Sequence, residues 1–224
     1  MTPRRKKAIG AVFAASTFSL LGMAALHMPA ARPLLAFFGV GCPMEKATGE
    51  QVETARMSAV RATRGTEASP ARPALGFILD TSTVDDVKAW AATSKVECSV
   101  ERQKTLLICD GVPTSALGEP AGGKVDLKLG FNTVGKLVNV VAVHRSLDPN
   151  RAEVVLAGVV NRMAADLGKP DVAVGERTGA YLAGEMLRTA VVEYKFSDYM
   201  AEVSATNFSA DGIAVREHYI SARD

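Results

Sequence analysis

Three cysteines and three histidines carry most of the chemistry open to this chain of 224 residues. Cys98 and Cys109 flank the segment from Ser99 to Ile108, which reads as two strands around a polar tip at Arg102, Gln103 and Lys104. An antiparallel register that opposes Val100 with Leu107 also opposes the two cysteines, on one face of the hairpin. In the narrow, non-hydrogen-bonded kind of pair their sulfurs can meet. A metal pair or a redox dithiol is the alternative, but ten intervening residues fit neither a CxxC centre nor a compact zinc knuckle. A structural disulfide is therefore expected, provided that the domain is exported.

The histidines are His27, His144 and His218. His144 follows a strand and precedes Arg145, and His218 stands between Glu217 and Tyr219 in the last strand. Either side chain could act as a base, yet both read as solvated strand residues because no nucleophile or acid accompanies them in a recognisable context. No HExxH, GxSxG, P-loop, GxGxxG or paired-cysteine metal motif occurs. The adjacent Asp85 and Asp86 point in different directions on a helix and suit its first turn better than a metal. Glu202 and Glu217 read as one solvated sheet face. No catalytic residue, metal ligand or cofactor is assigned from the sequence, and a non-enzyme is expected.

All four tyrosines, Tyr181, Tyr194, Tyr199 and Tyr219, fall in the last 44 residues. Tyrosine joins apolar area to a polar tip, which suits protein interfaces. With Asn207 and Phe208 they make a candidate partner-binding surface, against the alternative of ordinary core packing.

The elements that must position these residues begin with a targeting segment. Arg4, Arg5, Lys6 and Lys7 precede 19 uncharged residues, Ala8 to Leu26, a stretch that is either an export signal or a single transmembrane helix. The basic flank stays in the cytoplasm, so the rest is expected in the periplasm or outside the cell, anchored at the inner membrane. The apolar run Leu34 to Val40 is too short to span and reads as a surface-lying segment or a core strand. Cys42 follows Gly39-Val40-Gly41, which looks like a lipobox with glycine in place of leucine; lipidation and a free or partner-linked thiol both stay open.

The first 32 residues hold five of the 26 basic residues and no acidic one, which leaves 21 basic against 24 acidic residues beyond them. Without a long basic stripe, nucleic acid is not expected as a partner. Residues 1–33 are read as the membrane-targeting or anchor segment. Residues 34–73 are read as a juxtamembrane helix, from Thr48 to Ala62, and a linker rich in proline. Residues 74–224 are read as an extracytoplasmic α+β domain of two helix-plus-antiparallel-meander units, about 74–146 and 147–224.

In the first unit Ser82 with Asp85, or Thr83 with Asp86, starts a helix that carries Val84, Val87 and Trp90. Strands are expected at Val96 to Glu101, Leu106 to Gly111, Val125 to Phe131 and Leu137 to His144. In the second unit Asp148-Pro149 opens a long helix that ends at Gly168 and Pro170. An irregular stretch from Val172 to Gly184 precedes strands at Thr189 to Phe196, Tyr199 to Ala205 and Ile213 to Ile220. An offset of 77 residues places Phe131 on Phe208, Gly135 on Gly212 and Val138 on Val215, a faint internal repeat.

With Ser82-Thr83 before Val84 and Val87, and later Leu167-Gly168-Lys169-Pro170, this order resembles the envelope modules of the BamE/SmpA family and the related tandem β-lactamase-inhibitor-protein fold. The resemblance implies helices packed on short antiparallel sheets and a role in protein contacts rather than catalysis. The expected function is a membrane-anchored, non-catalytic binding or scaffold protein with an envelope protein partner. The alternative is a small-ligand binder or hydrolase working in a cleft between the units.

Overall fold

The computed structural model describes residues 48–101, 105–118 and 123–223. The targeting segment and Cys42 lie outside the described residues, and among those described no helix is long and apolar enough to cross a membrane. The body from Gly49 onward is α+β, built on one eight-stranded antiparallel sheet.

Helix α1 (Gly49–Thr63) is followed by α2 (Val84–Ser94) and four strands: β1 (Cys98–Glu101), β2 (Leu106–Pro113), β3 (Lys124–Phe131) and β4 (Leu137–Leu147). Then come α3 (Pro149–Leu167), β5 (Val172–Val174), the short α4 (Gly179–Ala183), and β6 (Thr189–Lys195), β7 (Tyr199–Asn207) and β8 (Ile213–Ser221). The spatial order is β1-β2-β3-β4-β8-β7-β6-β5, so each run of four strands forms a meander and the two meet at β4 and β8.

Local chemistry accounts for the helix ends. The Thr83 side chain accepts from the Asp86 amide while the Asp86 carboxylate accepts from the Thr83 amide, a reciprocal cap that lowers the Asp86 pKa. Asp148 caps α3 with Pro149 just inside it. The stretch expected to be irregular contains instead β5, paired with β6, and α4. Asn207 holds that arrangement, its amide donating to the Leu182 and Glu185 carbonyls at 3.0 and 3.1 Å.

Alternation along the strands, interrupted by register shifts between Cys109 and Val112, between Gly130 and Phe131, and between His144 and Leu147, gives the sheet two faces. One is covered by α3 through Ala152, Leu156, Val159, Val160, Met163 and Leu167, all buried. This face contains the core, including Leu127, Leu129, Val140, Val192, Val203 and Val215. The opposite face is half-buried; α1 reaches it through Val60, which is buried, and Thr63.

The proline-rich segment read as a linker is pinned to the body instead. Arg64 donates to the Ala222 carbonyl at 2.9 Å, Ser69 N to Asp198 Oδ1 at 2.9 Å, and Tyr199 Oη to the Pro73 carbonyl at 2.6 Å. A Cβ on Gly65 would stand 2.0 Å from the Lys195 carbonyl oxygen, so only glycine passes there. Composition signalled a linker, but tertiary hydrogen bonds fixed its path.

Cys98 and Cys109 are joined by a disulfide in the expected register, opposite each other with Val100 opposite Leu107. Their Cα atoms are 4.1 Å apart, the narrow kind of pair.

Candidate cleft beside helix α3

Glu217 is fully buried, which corrects its reading as part of a solvated face. On β8 it shares parity with Ile213, Val215 and Tyr219, and that whole set points into the core. His144 shares parity with Val140 and Ala142 on β4 and is also buried, at 5% exposure, rather than solvated. The β4–β8 register opposes Ala142 with Glu217 and His144 with Val215, so the histidine and the glutamate are diagonal neighbours.

A buried carboxylate requires partners. Arg162 of α3 donates to Glu217 Oε2 at 2.5 Å, and the Tyr219 hydroxyl donates to the same oxygen. His144 Nε2 stands 3.5 Å from Oε1, too long for a well-formed hydrogen bond. Desolvation alone would push the Glu217 pKa up, yet these groups bring it below the ordinary carboxylate value. Because His144 is at long range, Arg162 and Tyr219 are the direct contacts that keep the charge. Burial and the neighbouring carboxylate raise the Tyr219 pKa, so its hydroxyl stays protonated and donates.

Two cavities open over this cluster. One, of about 200 Å³, is lined by Thr114, His144, Arg151, Val155, Gly158 and Arg162 among others. The second, of about 510 Å³, is bounded by Leu75, Phe77, Leu117, Gly158, Arg162 and Tyr219. Arg151, Val155, Gly158 and Arg162 follow helical spacing, so a single stripe of α3 supplies the wall, and Gly158 and Arg162 belong to both cavities. Phe77 and Trp90 pack edge to face at 5.0 Å beyond the second cavity.

His218 lies on the other face, beside a third cavity of about 240 Å³ lined also by Met200, Ile220, Glu193 and Glu202. Arg216 approaches Nδ1 at 2.7 Å, and Nε2 stands 2.7 Å from Asn139 Oδ1. Arginine only donates, so Nδ1 accepts and Nε2 carries the proton. Desolvation, with the Arg216 charge second, lowers the His218 pKa to about 3. The folded value lies below the unfolded one, so its stabilising contribution is complete above about pH 6.5 and is lost as pH falls toward 3. We expect the wild-type protein to lose about 1–2 kcal/mol more than His218→Gln between roughly pH 7 and pH 5. Urea titrations at both values test this, and equal losses would refute a neutral, half-buried His218.

The candidate partner surface is not assembled. Tyr194, Tyr199 and Tyr219 are in the core and Asn207 is buried, because the phase that carries them is the one covered by the helices. Burial raises the pKa of both Tyr194 and Tyr199. Tyr181 is half-buried under the Arg188 guanidinium, 4.9 Å above its ring, and Phe208 is exposed.

Among the described residues, no group of three or more His, Cys, Asp or Glu side chains is placed to hold a metal ion. Comparison of the chain with protein-family models, curated proteins and solved structures gives no match.

Sequence reasoning missed Arg162 and misplaced Glu217. The parity of Glu217 with Val215 and Tyr219 was the available signal. Nothing local marked Arg162 as its partner 55 residues away.

Proposed function

We propose that this chain is a membrane-anchored, extracytoplasmic binding module of the cell envelope that takes a small polar ligand in the cleft beside α3. The observation that carries this reading is the buried Glu217 carboxylate, held by Arg162 and Tyr219, beneath two cavities lined by Arg162 itself. Core packing alone would be served as well by apolar residues of similar volume. Ligand pockets typically combine apolar walls with a few converging polar groups, as this cleft does. The membrane anchor and the location rest on the basic, apolar amino terminus.

Two related helix-plus-meander units, with the cleft beside the second unit's helix, remain our reading of the architecture. The mirrored strand order supports it, as do Gly135 and Gly212, which stand 77 residues apart at φ 75° and 76°. Each donates to the carbonyl three residues before it, Asn132 and Ser209, at 3.0 Å. The same arrangement supports the likeness to BamE/SmpA-type modules, in which a protein partner would be the occupant.

A second reading, hydrolysis in this cleft, is favoured by His144 standing beside Glu217. Ligand-observed NMR with a panel of small acids, sugars, amino acids and short peptides tests the proposal. Binding that shifts the Gly158 and Arg162 amides, with the compound recovered unchanged, is the expected result. Conversion of a bound compound would favour hydrolysis, and shifts confined to other surfaces would overturn the cleft.

A further inference from the structure

Helix α1 has little apolar grip on the sheet. Of its 15 residues only Val60 is buried, and a helix of this length is marginal in water without a packed face. Arginine side chains fasten it instead. Arg56 Nη1 donates to the Ser221 carbonyl at 2.7 Å, and Arg64, one residue past the helix, donates through Nη1 to the Ala222 carbonyl at 2.9 Å. The Glu53 carboxylate steadies the Arg56 guanidinium from its other edge, accepting from Nε at 2.9 Å and from Nη2 at 2.7 Å. Arg72 Nη2 then reaches the Ser221 hydroxyl at 3.1 Å. Arg56, Arg64 and Arg72, spaced eight residues apart, all close on the end of β8. That end is itself fixed, since Ser221 pairs with Tyr199 and the Ala222 amide donates to the Asp198 carbonyl at 3.0 Å.

The attachment changes character at Gly65. Beyond it the main chain itself is held, with Ser197 N donating to the Glu67 carbonyl at 2.7 Å and Ser69 N donating to Asp198 Oδ1 at 2.9 Å. Before it, α1 hangs on long side chains. Glycine is required at position 65 by the Lys195 carbonyl and also has the freest torsions, so it makes a pivot between the two parts.

Thr63, at the end of α1, lines the cavity of about 240 Å³ beside His218, together with Met200 and Ile220. Its hydroxyl stands 3.8 Å from Met200 Sδ. Movement of α1 about Gly65 would uncover that apolar wall.

We infer that α1 is a lid over the cavity beside His218, pivoting at Gly65 and held shut by Arg56 and Arg64 on the carbonyls at the end of β8. This cavity lies on the opposite face of the sheet from the α3 cleft, so the inference stands independently of the cleft reading. Elements with few buried apolar contacts open locally without global unfolding, and lids over ligand sites are drawn from them.

The test follows hydrogen exchange of the full chain across a series of low urea concentrations, together with residue-resolved oxidation of Met200 by dilute hydrogen peroxide. Amides of α1 are expected to exchange faster than those of β7 and β8 and with little dependence on urea, because opening a lid exposes little surface. Arg56→Gln and Arg64→Gln should each speed α1 exchange by about 10-fold, the ratio that one charged hydrogen bond gives, and leave β7 and β8 unchanged. Met200 oxidation should rise with α1 exchange, while that of Met163, 1% exposed in the core, should not.

Exchange of α1 at the rate and urea dependence of β7 and β8 in the wild type would show that it opens only with the whole body, and would overturn the lid. Faster α1 exchange in the variants with unchanged Met200 oxidation would mean that the helix frays without uncovering the cavity, and would overturn it equally. Unchanged α1 exchange in both variants would remove the arginines as its fastening. A matching rise in β7 and β8 exchange would show that they stabilise the whole body rather than a lid.

Discussion

Arg162→Met is expected to destabilise the protein by about 2–3 kcal/mol at neutral pH, because it leaves the Glu217 carboxylate buried without its cation. The value sits at the low end for a broken buried pair because the Arg162 side chain is 36% exposed and water screens it in part. The pH dependence gives the sign. In the wild type the folded Glu217 pKa is depressed, so its contribution is full above about pH 4.3 and falls away as pH drops through the folded value. Without Arg162 desolvation dominates and the folded pKa rises, so protonation relieves the variant sooner. The deficit of Arg162→Met should therefore shrink as pH falls from about 7 toward 4. Adding Glu217→Gln in the Arg162→Met background should recover part of the loss, a coupling that a double-mutant cycle measures. A deficit under about 0.5 kcal/mol in urea titrations, or one independent of pH, would show that the pair does not carry this energy.

The second large effect comes from the disulfide. Joining Cys98 to Cys109 closes a loop of 12 residues, 98 through 109. The chain-entropy relation assigns such a loop roughly 3 kcal/mol. For a body of this size that corresponds to a fall in Tm of about 6–12 °C when the bond is removed. The structure adds a distinction between the two cysteines. Cys109 is fully buried on β2, whereas Cys98 lies on the edge strand β1 and is only half-buried. Cys109→Ala should cost somewhat more than Cys98→Ala, and the double variant should be little worse than Cys109→Ala. Thermal melts of the three variants beside the oxidised wild type measure this. Additive losses in the double variant would show that the two positions act separately, and thiol labelling of both cysteines in denatured, unreduced protein would remove the bond itself.

Strand phase was legible in the sequence, but phase identifies a face and not its depth. Glu202 and Glu217 both alternate on strands, yet Glu202 is half-buried with Arg216 at 3.0 Å while Glu217 is sealed in the core. The difference is that α3 covers the face that carries Glu217, and the sequence does not say which face a distant helix will cover. The tyrosines fell to the same cause. Clustering late in the chain suggested an interface, but three of the four share the covered phase.

By itself the sequence determined what depends on neighbours a few residues away. Thr83 with Asp86, Asp148 with Pro149, and the hairpin register that opposes Cys98 with Cys109 are settled by short-range hydrogen bonding and period-two alternation. Only the tertiary structure decided the pairing of β4 with β8, the path of residues 64–73 along the body, and the meeting of His144, Arg162 and Glu217. Those contacts join residues far apart in the chain, and what selects them is the burial of one whole sheet face under α3. Once that face is dry, a carboxylate on it must find a cation, and the stripe of α3 that supplies the cation also forms the wall of the cleft.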